Sequence, residues 1–204
     1  MTVAVVEYGI GNIQSVVNAC RRAGAEAEVV ADGPALRRCD PSHIVLPGVG
    51  AVGRALSALR ERGLATALED LVIAGGRPFL GICVGMQVLG EVCEEFGSFE
   101  GLGWIPGRVR RIAAEGSGLR VPHVGWNTIL LARPDPLLNA LSDSHFYFLH
   151  SYALDCPEKH VLARAEYGDR LVCAVRRDNV TAVQFHPEKS SRAGTELLGA
   201  FFGR

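Results

Sequence analysis

The stretch GICVG (81–85) sets Cys83 between two glycines, where the apolar run of Phe79, Leu80 and Ile82 stops and a helix-like pattern of Val84, Met86, Val88 and Leu89 begins. A nucleophile at a strand–turn–helix junction is an elbow. Its turn is so tight that the neighbours leave no room for side chains, and the helix that follows directs N–H groups and a positive dipole end at the thiol. A structural cysteine in a tight turn has the same spacing, so the motif alone leaves chemistry and packing both open. A thiol nucleophile also needs a base, and the base an orienting group. Among His43, His123, His145, His150, His160 and His186, only His186 stands at the end of a strand-like run, in AVQFHPEKS (182–190), followed by Pro187 and Glu188. Pro187 ends the ladder of that strand. If the chain stays extended through it, the period of two puts His186 and Glu188 on one face, as base and orienter.

Two other chemistries share parts of this pattern. His-x-Glu occurs in zinc deaminases, but the Pro-Cys-x-x-Cys that must follow is absent, and no metal is expected. A serine hydrolase would need Gly-x-Ser-x-Gly, which the chain lacks. A tetrahedral acyl-transfer intermediate needs donors for its oxyanion. The N–H of Val84 is one; LPGVGAVG (46–53) offers the second at Val49 or Gly50, where glycines let the backbone approach a substrate and turn its peptides. Read as a phosphate loop, that stretch lacks the closing Gly-Lys-Ser/Thr.

The elements that must position these residues are legible in outline. The chain has 204 residues, 48% of them apolar, which suits a single domain, 1–204, with a core that needs no disulfide staples. Net charge is −1 with scattered Lys and Arg, which argues against nucleic acid or an anionic membrane as main partner. No run is long and apolar enough for a membrane span, and MTVAVVEYG reads as a core strand and not as a signal peptide; a cytoplasmic protein is the expectation. The six cysteines form no C-x-x-C pair, and most read as small buried hydrophobes, Cys20 lying on a helical stripe with Ile13, Val16 and Val17. Strands are expected at 2–8, 25–31, 43–50 and 78–82, with helices at 11–24, 51–62 and 64–74. Apolar strands alternating with helices predict a mixed, mainly parallel α/β sheet with helices on both faces. After residue 100 the pattern changes to strands at 103–112, 120–127, 145–154 and 161–167 and a hairpin over 171–185 turning at Asp178–Asn179, an antiparallel extension closed by a helix at 193–202.

With these residues in view, PGVG (47–50), GICVGMQ (81–87) and QFHPEKS (184–190) together resemble the triad-type glutamine amidotransferases. YGIGNIQSV (8–16), PHVGWN (122–127) and YFLHSY (147–152) are similar to the glutaminase subunits of imidazole glycerol phosphate synthases, and the six motifs keep that family's order from residue 8 to residue 190. The resemblance implies a class I amidotransferase fold, no cofactor, and Cys83, His186 and Glu188 as nucleophile, acid/base and its partner. It implies an oxyanion hole from Val84 and from Val49 or Gly50. Gly50, Gln87, Glu95, His150, Ser151 and Tyr152 match positions that hold glutamine, Glu95 facing its α-ammonium. It further implies a heterodimer with a (β/α)8-barrel synthase subunit that uses the ammonia in histidine biosynthesis. PHVGWN, with His123, Trp126 and Asn127, is the candidate contact surface, Trp126 reading either as an interface anchor or as a core tryptophan. Another amidotransferase glutaminase, such as that of pyridoxal phosphate synthase, and a catalytically silent regulatory protein on the same scaffold are the competing readings. Glu7, Val84, Cys93 and Val124 depart from the family's usual Asp, Leu, Ser and Met, and none belongs to the triad.

Overall fold

The computed structural model describes residues 1–113 and 118–203. In chain order the strands are β1 (Thr2–Val6), β2 (Glu26–Val30), β3 (His43–Gly48), β4 (Phe79–Cys83), β5 (Val92–Cys93), β6 (Phe99–Glu100), β7 (Arg108–Arg111), β8 (His123–Thr128), β9 (Leu130–Leu131), β10 (His145–His150), β11 (Tyr152–Asp155), β12 (Val161–Tyr167), β13 (Asp169–Arg177) and β14 (Val180–Val183). The α-helices are α1 (Ile13–Arg22), α2 (Gly33–Cys39), α3 (Val52–Glu61), α4 (Leu64–Leu68), α5 (Val84–Gln87) and α6 (Ser191–Phe201).

The main sheet runs β2-β1-β3-β4-β14-β13-β12-β9. The first five strands are parallel to their neighbours and the last three continue antiparallel. The central strands β4 and β14 are buried at every residue, as a parallel sheet covered by helices requires. The helices pack in two groups, α1 with α6, and α2 and α3 with α4. β13 and β14 form the expected hairpin at Asp178–Asn179, Asp178 taking a positive φ of 54°. No helix among the described residues is long and apolar enough to cross a membrane.

The structure departs from the sequence reading where tertiary contacts intervene. The helix expected to run on from Val84 is one turn long. The carbonyls of Val88, Leu89 and Gly90, which would extend it, instead accept from Leu102, Ile105 and Gly103. The helix expected over 64–74 turns π-helical at Glu69–Ala74. The strand expected over 145–154 is two: β10 pairs with β8, and after Ser151 β11 pairs with β7 in a separate four-stranded sheet, β11-β7-β5-β6. The strands expected at 103–112 and 120–127 shrink to β7 and β8. Helix α2 lies in a stretch the periodicity left unassigned, although Asp32 Oδ1 caps it by accepting from Ala35 N at 2.7 Å.

Parallel pairing fixes the site. Gly48 at the end of β3 sits opposite Cys83 at the end of β4, and Val183 at the end of β14 sits opposite Ile82. Open α/β sheets place ligands at such carboxyl ends.

Candidate active site

Cys83 adopts φ 56°, ψ −109°, a backbone conformation an L-residue reaches only under constraint. Its neighbours supply that constraint. A Cβ on Gly85 would run into the Leu46 carbonyl of β3, and one on Gly81 would meet the Gly85 carbonyl at 2.5 Å. The two glycines of GICVG are therefore demanded by backbone packing around the elbow. The cysteine between them is held 3% exposed, with its sulfur 3.8 Å from the Leu149 carbonyl.

His186 reaches the thiol from the end of β14. Its N–H donates to the Tyr147 carbonyl at 2.9 Å, and its own carbonyl accepts from Ser190 Oγ at 2.6 Å, which fixes the chain on β10. The expected geometry needs correction here. β14 ends at Val183, and Pro187–Lys189 forms a 3₁₀ turn instead of extended chain. Proline's fixed φ suits the first position of such a turn, and the turn carries Glu188 back so that His186 Nδ1 and Glu188 Oε1 lie 2.8 Å apart. Both side chains are almost fully buried. His186 Nε2 makes no well-aligned hydrogen bond with any described residue, while the Cys83 sulfur is close enough to act on its charge. Burial alone would lower the pKa of this imidazole; the sulfur and the Glu188 carboxylate outweigh it and push the pKa up to about 9.

A cleft of about 330 Å³ opens over Cys83, lined by Val49, Gly50, Val84, Gln87, Glu95, His150, Ser151 and Tyr152. All residues expected to hold a substrate or supply an oxyanion donor thus converge on one cleft with the thiol, while His186 and Glu188 line a smaller void behind it. Phe96, 89% exposed at φ 53°, stands at the mouth, a residue the sequence reading passed over. Glu95 also supports the fold beside the cleft. Its carboxylate accepts from Val52 N at 2.6 Å at the start of α3, where the N-cap residue Ala51 offers no side-chain acceptor.

His150 belongs to a directed relay. Burial lowers the pKa of His123 and His150 to about 4 each, so both rings are neutral. The Tyr152 carbonyl can only accept, so His150 Nδ1 donates to it at 2.9 Å and leaves Nε2 to accept from His123 Nδ1 at 3.0 Å. His123 Nε2 then accepts from Asn127 Nδ2 at 3.3 Å.

This relay corrects part of the expected contact surface. His123 is 2% exposed and stacked between Phe148 and Tyr167, with ring centroids 4.6 Å and 4.0 Å away, and the Asn127 amide is spent on His123 and the Glu166 carbonyl. Alternation along β8 and β10 sends His123, Phe146 and Phe148 to the core and puts the half-buried Asn127 on the same side of β8 as His123. The opposite face presents Trp126, 53% exposed, beside Val124 and Leu149.

Sequence reasoning also missed Tyr8 and Gln184. The buried hydroxyl of Tyr8 rests against Gly48, where no Cβ would fit, and has no partner among the described residues. Burial and then the Cys83 sulfur raise the pKa of this phenol. Gln184, fully buried, directs Nε2 at the Cys83 sulfur from 3.6 Å. A glutamine inside AVQF, between buried apolar residues, is the signal that could have singled it out.

The model of the class I glutamine amidotransferases matches residues 4–203. The imidazole glycerol phosphate synthase subunit HisH 2 of Nitrobacter winogradskyi is 43% identical over 98% of this chain and 96% of its own length. The subunit HisH of Herpetosiphon aurantiacus is 47% identical over 97% and 91%. Among solved structures, one described as a glutamine amidotransferase is 25% identical with a TM-score of 0.72, covering 96% of this chain and 98% of its own. PurLQS of Thermotoga maritima shares the fold at TM-score 0.75 and 18% identity, over 99% and 97%.

Proposed function

This chain belongs to the class I glutamine amidotransferases, and we infer from its relatives and its site that it is the glutaminase subunit of an imidazole glycerol phosphate synthase. It hydrolyses glutamine to glutamate and ammonia for histidine biosynthesis. The observation that carries the site assignment is the strained elbow at Cys83, with the buried His186–Glu188 pair behind the thiol and an amino-acid-sized cleft in front of it.

In this reading the Cys83 thiol passes its proton to His186, and the sulfur attacks the side-chain amide carbon of glutamine. The oxygen takes negative charge and is met by the N–H of Val84 and of Val49 or Gly50. An imidazole whose pKa is pushed to about 9 carries a proton at neutral pH, so His186 can hand it to the departing nitrogen. Ammonia leaves and a γ-glutamyl thioester remains on Cys83. The now neutral His186 accepts a proton from water as it attacks the thioester, sulfur departs, and glutamate is released. Glu188 holds the ring and favours its charged form in both half-reactions. Glu95 receives the substrate ammonium while it caps α3, and Gly50, Gln87, His150, Ser151 and Tyr152 line the rest of the cleft.

The full chain, 1–204, acts as one domain in the cytoplasm. Its partner is a (β/α)8-barrel synthase subunit, bound as a heterodimer on the exposed apolar face of β8 and β10 with Trp126 as anchor; large aromatics are enriched at such centres. The test separates ammonia release from ammonia use. Cys83→Ala in the complex is expected to lose glutamine-dependent synthesis and to keep synthesis from added ammonium salts. Glutamine-dependent synthesis that survives the substitution refutes the assignment.

A further inference from the structure

We propose that Gln184 is a further catalytic residue: its buried side-chain amide donates an N–H to the Cys83 sulfur and stabilises that sulfur when it carries negative charge. The inference rests on the reading of Cys83 as nucleophile.

The direction of the amide follows from the far end of a hydrogen-bond chain. The Tyr152 carbonyl can only accept, and it takes an N–H from Gln87 Nε2 at 3.0 Å. The same nitrogen gives its other N–H to Gln184 Oε1 at 3.1 Å. Gln184 must therefore turn its oxygen toward Gln87 and its nitrogen toward the sulfur, where it lies 3.6 Å away. A buried amide is costly unless satisfied, and an apolar side chain would fill this place between Val183 and Phe185 more cheaply.

The sulfur's other polar neighbour explains what the amide does. As a thiol, Cys83 can donate to the Leu149 carbonyl at 3.8 Å. Once ionised it has no hydrogen to give, and that carbonyl faces an anion unfavourably. The Gln184 N–H instead becomes a stronger partner as charge accumulates. It favours the sulfur before attack and again when the thioester breaks, and it does less for the acylated sulfur between. Because the sulfur gains charge as the thioester breaks, the contact is stronger in that transition state than in the acyl-enzyme, which speeds deacylation without tightening substrate binding. Gln87 acts through Gln184 as a positioning residue.

The experiment uses the full chain in complex with its synthase subunit. Gln184→Met keeps the bulk and removes the donor. Glutaminase kcat is expected to fall roughly 3- to 10-fold with KM within about twofold, the worth of one modest hydrogen bond. Alkylation of Cys83 by iodoacetamide, located by mass spectrometry, needs neither glutamine nor an oxyanion hole. It is expected to slow by a similar factor. Gln87→Met, which leaves the donor present but unfixed, is expected to show a smaller deficit. Wild-type alkylation in both variants overturns the proposal, as does a kcat loss with an unchanged alkylation profile, which would mark a merely structural residue. Glutamine hydrolysis by Cys83→Ala would instead overturn the underlying reading.

Discussion

The elbow at Cys83 should invert the usual order of alanine and glycine in a protein core. At an ordinary buried site with negative φ, glycine in place of alanine loses about 0.5–1 kcal/mol through backbone entropy. It loses roughly 0.8 kcal/mol more for one buried methyl. Alanine should therefore be the more stable by about 1.5 kcal/mol. Position 83 sits at φ 56°, ψ −109°, where a Cβ costs on the order of 1–3 kcal/mol and glycine avoids the strain. With about 2 kcal/mol of strain relieved, Cys83→Gly should exceed Cys83→Ala by roughly 0.5 kcal/mol. The strain cannot relax by moving the elbow, because Gly81 and Gly85 already abut the Gly85 and Leu46 carbonyls. Paired urea unfolding of the two variants measures the difference, and neither carries the thiol, so oxidation at this site does not enter. Alanine the more stable by 1 kcal/mol or more would refute the claim that the nucleophile sits on a strained turn.

The other predictions concern buried polar groups. Tyr8→Phe removes a hydroxyl with no partner among the described residues, so its melting temperature should equal or exceed that of the wild type; a fall of several degrees would show that the hydroxyl has a partner after all. Glu95→Ala should raise KM for glutamine and cost about 1 kcal/mol through loss of the Val52 N–H acceptor; unchanged KM and stability together would remove both roles. Stability should peak near pH 6.5. His123 and His150, lowered to about 4, contribute above the unfolded value of about 6.5 and lose that contribution as pH falls toward 4. His186, raised to about 9, contributes fully below about 6.5 and loses it as pH rises through 9. A melting temperature flat from pH 5 to 9 would contradict these environments. Glutamate release by the chain alone should be slow and rise on adding the synthase subunit and its nucleotide. The peptides around Gly50, at φ 84°, can turn at little steric cost, and a donor turned away costs ~10²–10³ in rate. Equal rates in all three conditions would refute that switch.

What the sequence could disclose depended on whether a residue's role is local. GICVG reads as an elbow because both glycines stand in the motif beside the nucleophile, although only the demand on Gly81 is set nearby, by the Gly85 carbonyl, while that on Gly85 comes from Leu46 of β3. The core strands read well because burial on both faces leaves solid apolar runs such as Phe79–Cys83. Alternation failed after residue 184 because Pro187 opens a 3₁₀ turn, so His186 and Glu188 meet by a route that period-two reasoning does not contain. At PHVGWN the limit was different: which face of β8 turns inward is fixed by pairing with β10 nearly twenty residues later, and it puts His123 inside and Trp126 outside. Gln184 is the extreme case. Its orientation is set by a carbonyl on Tyr152 and an amide on Gln87, two elements that only the fold brings beside β14. A buried polar residue inside an apolar run therefore carries information the motif around it does not. Its hydrogen bonds must be satisfied by something distant, and in a chain whose nucleophile is already located, that distant group is the first place to look for further chemistry.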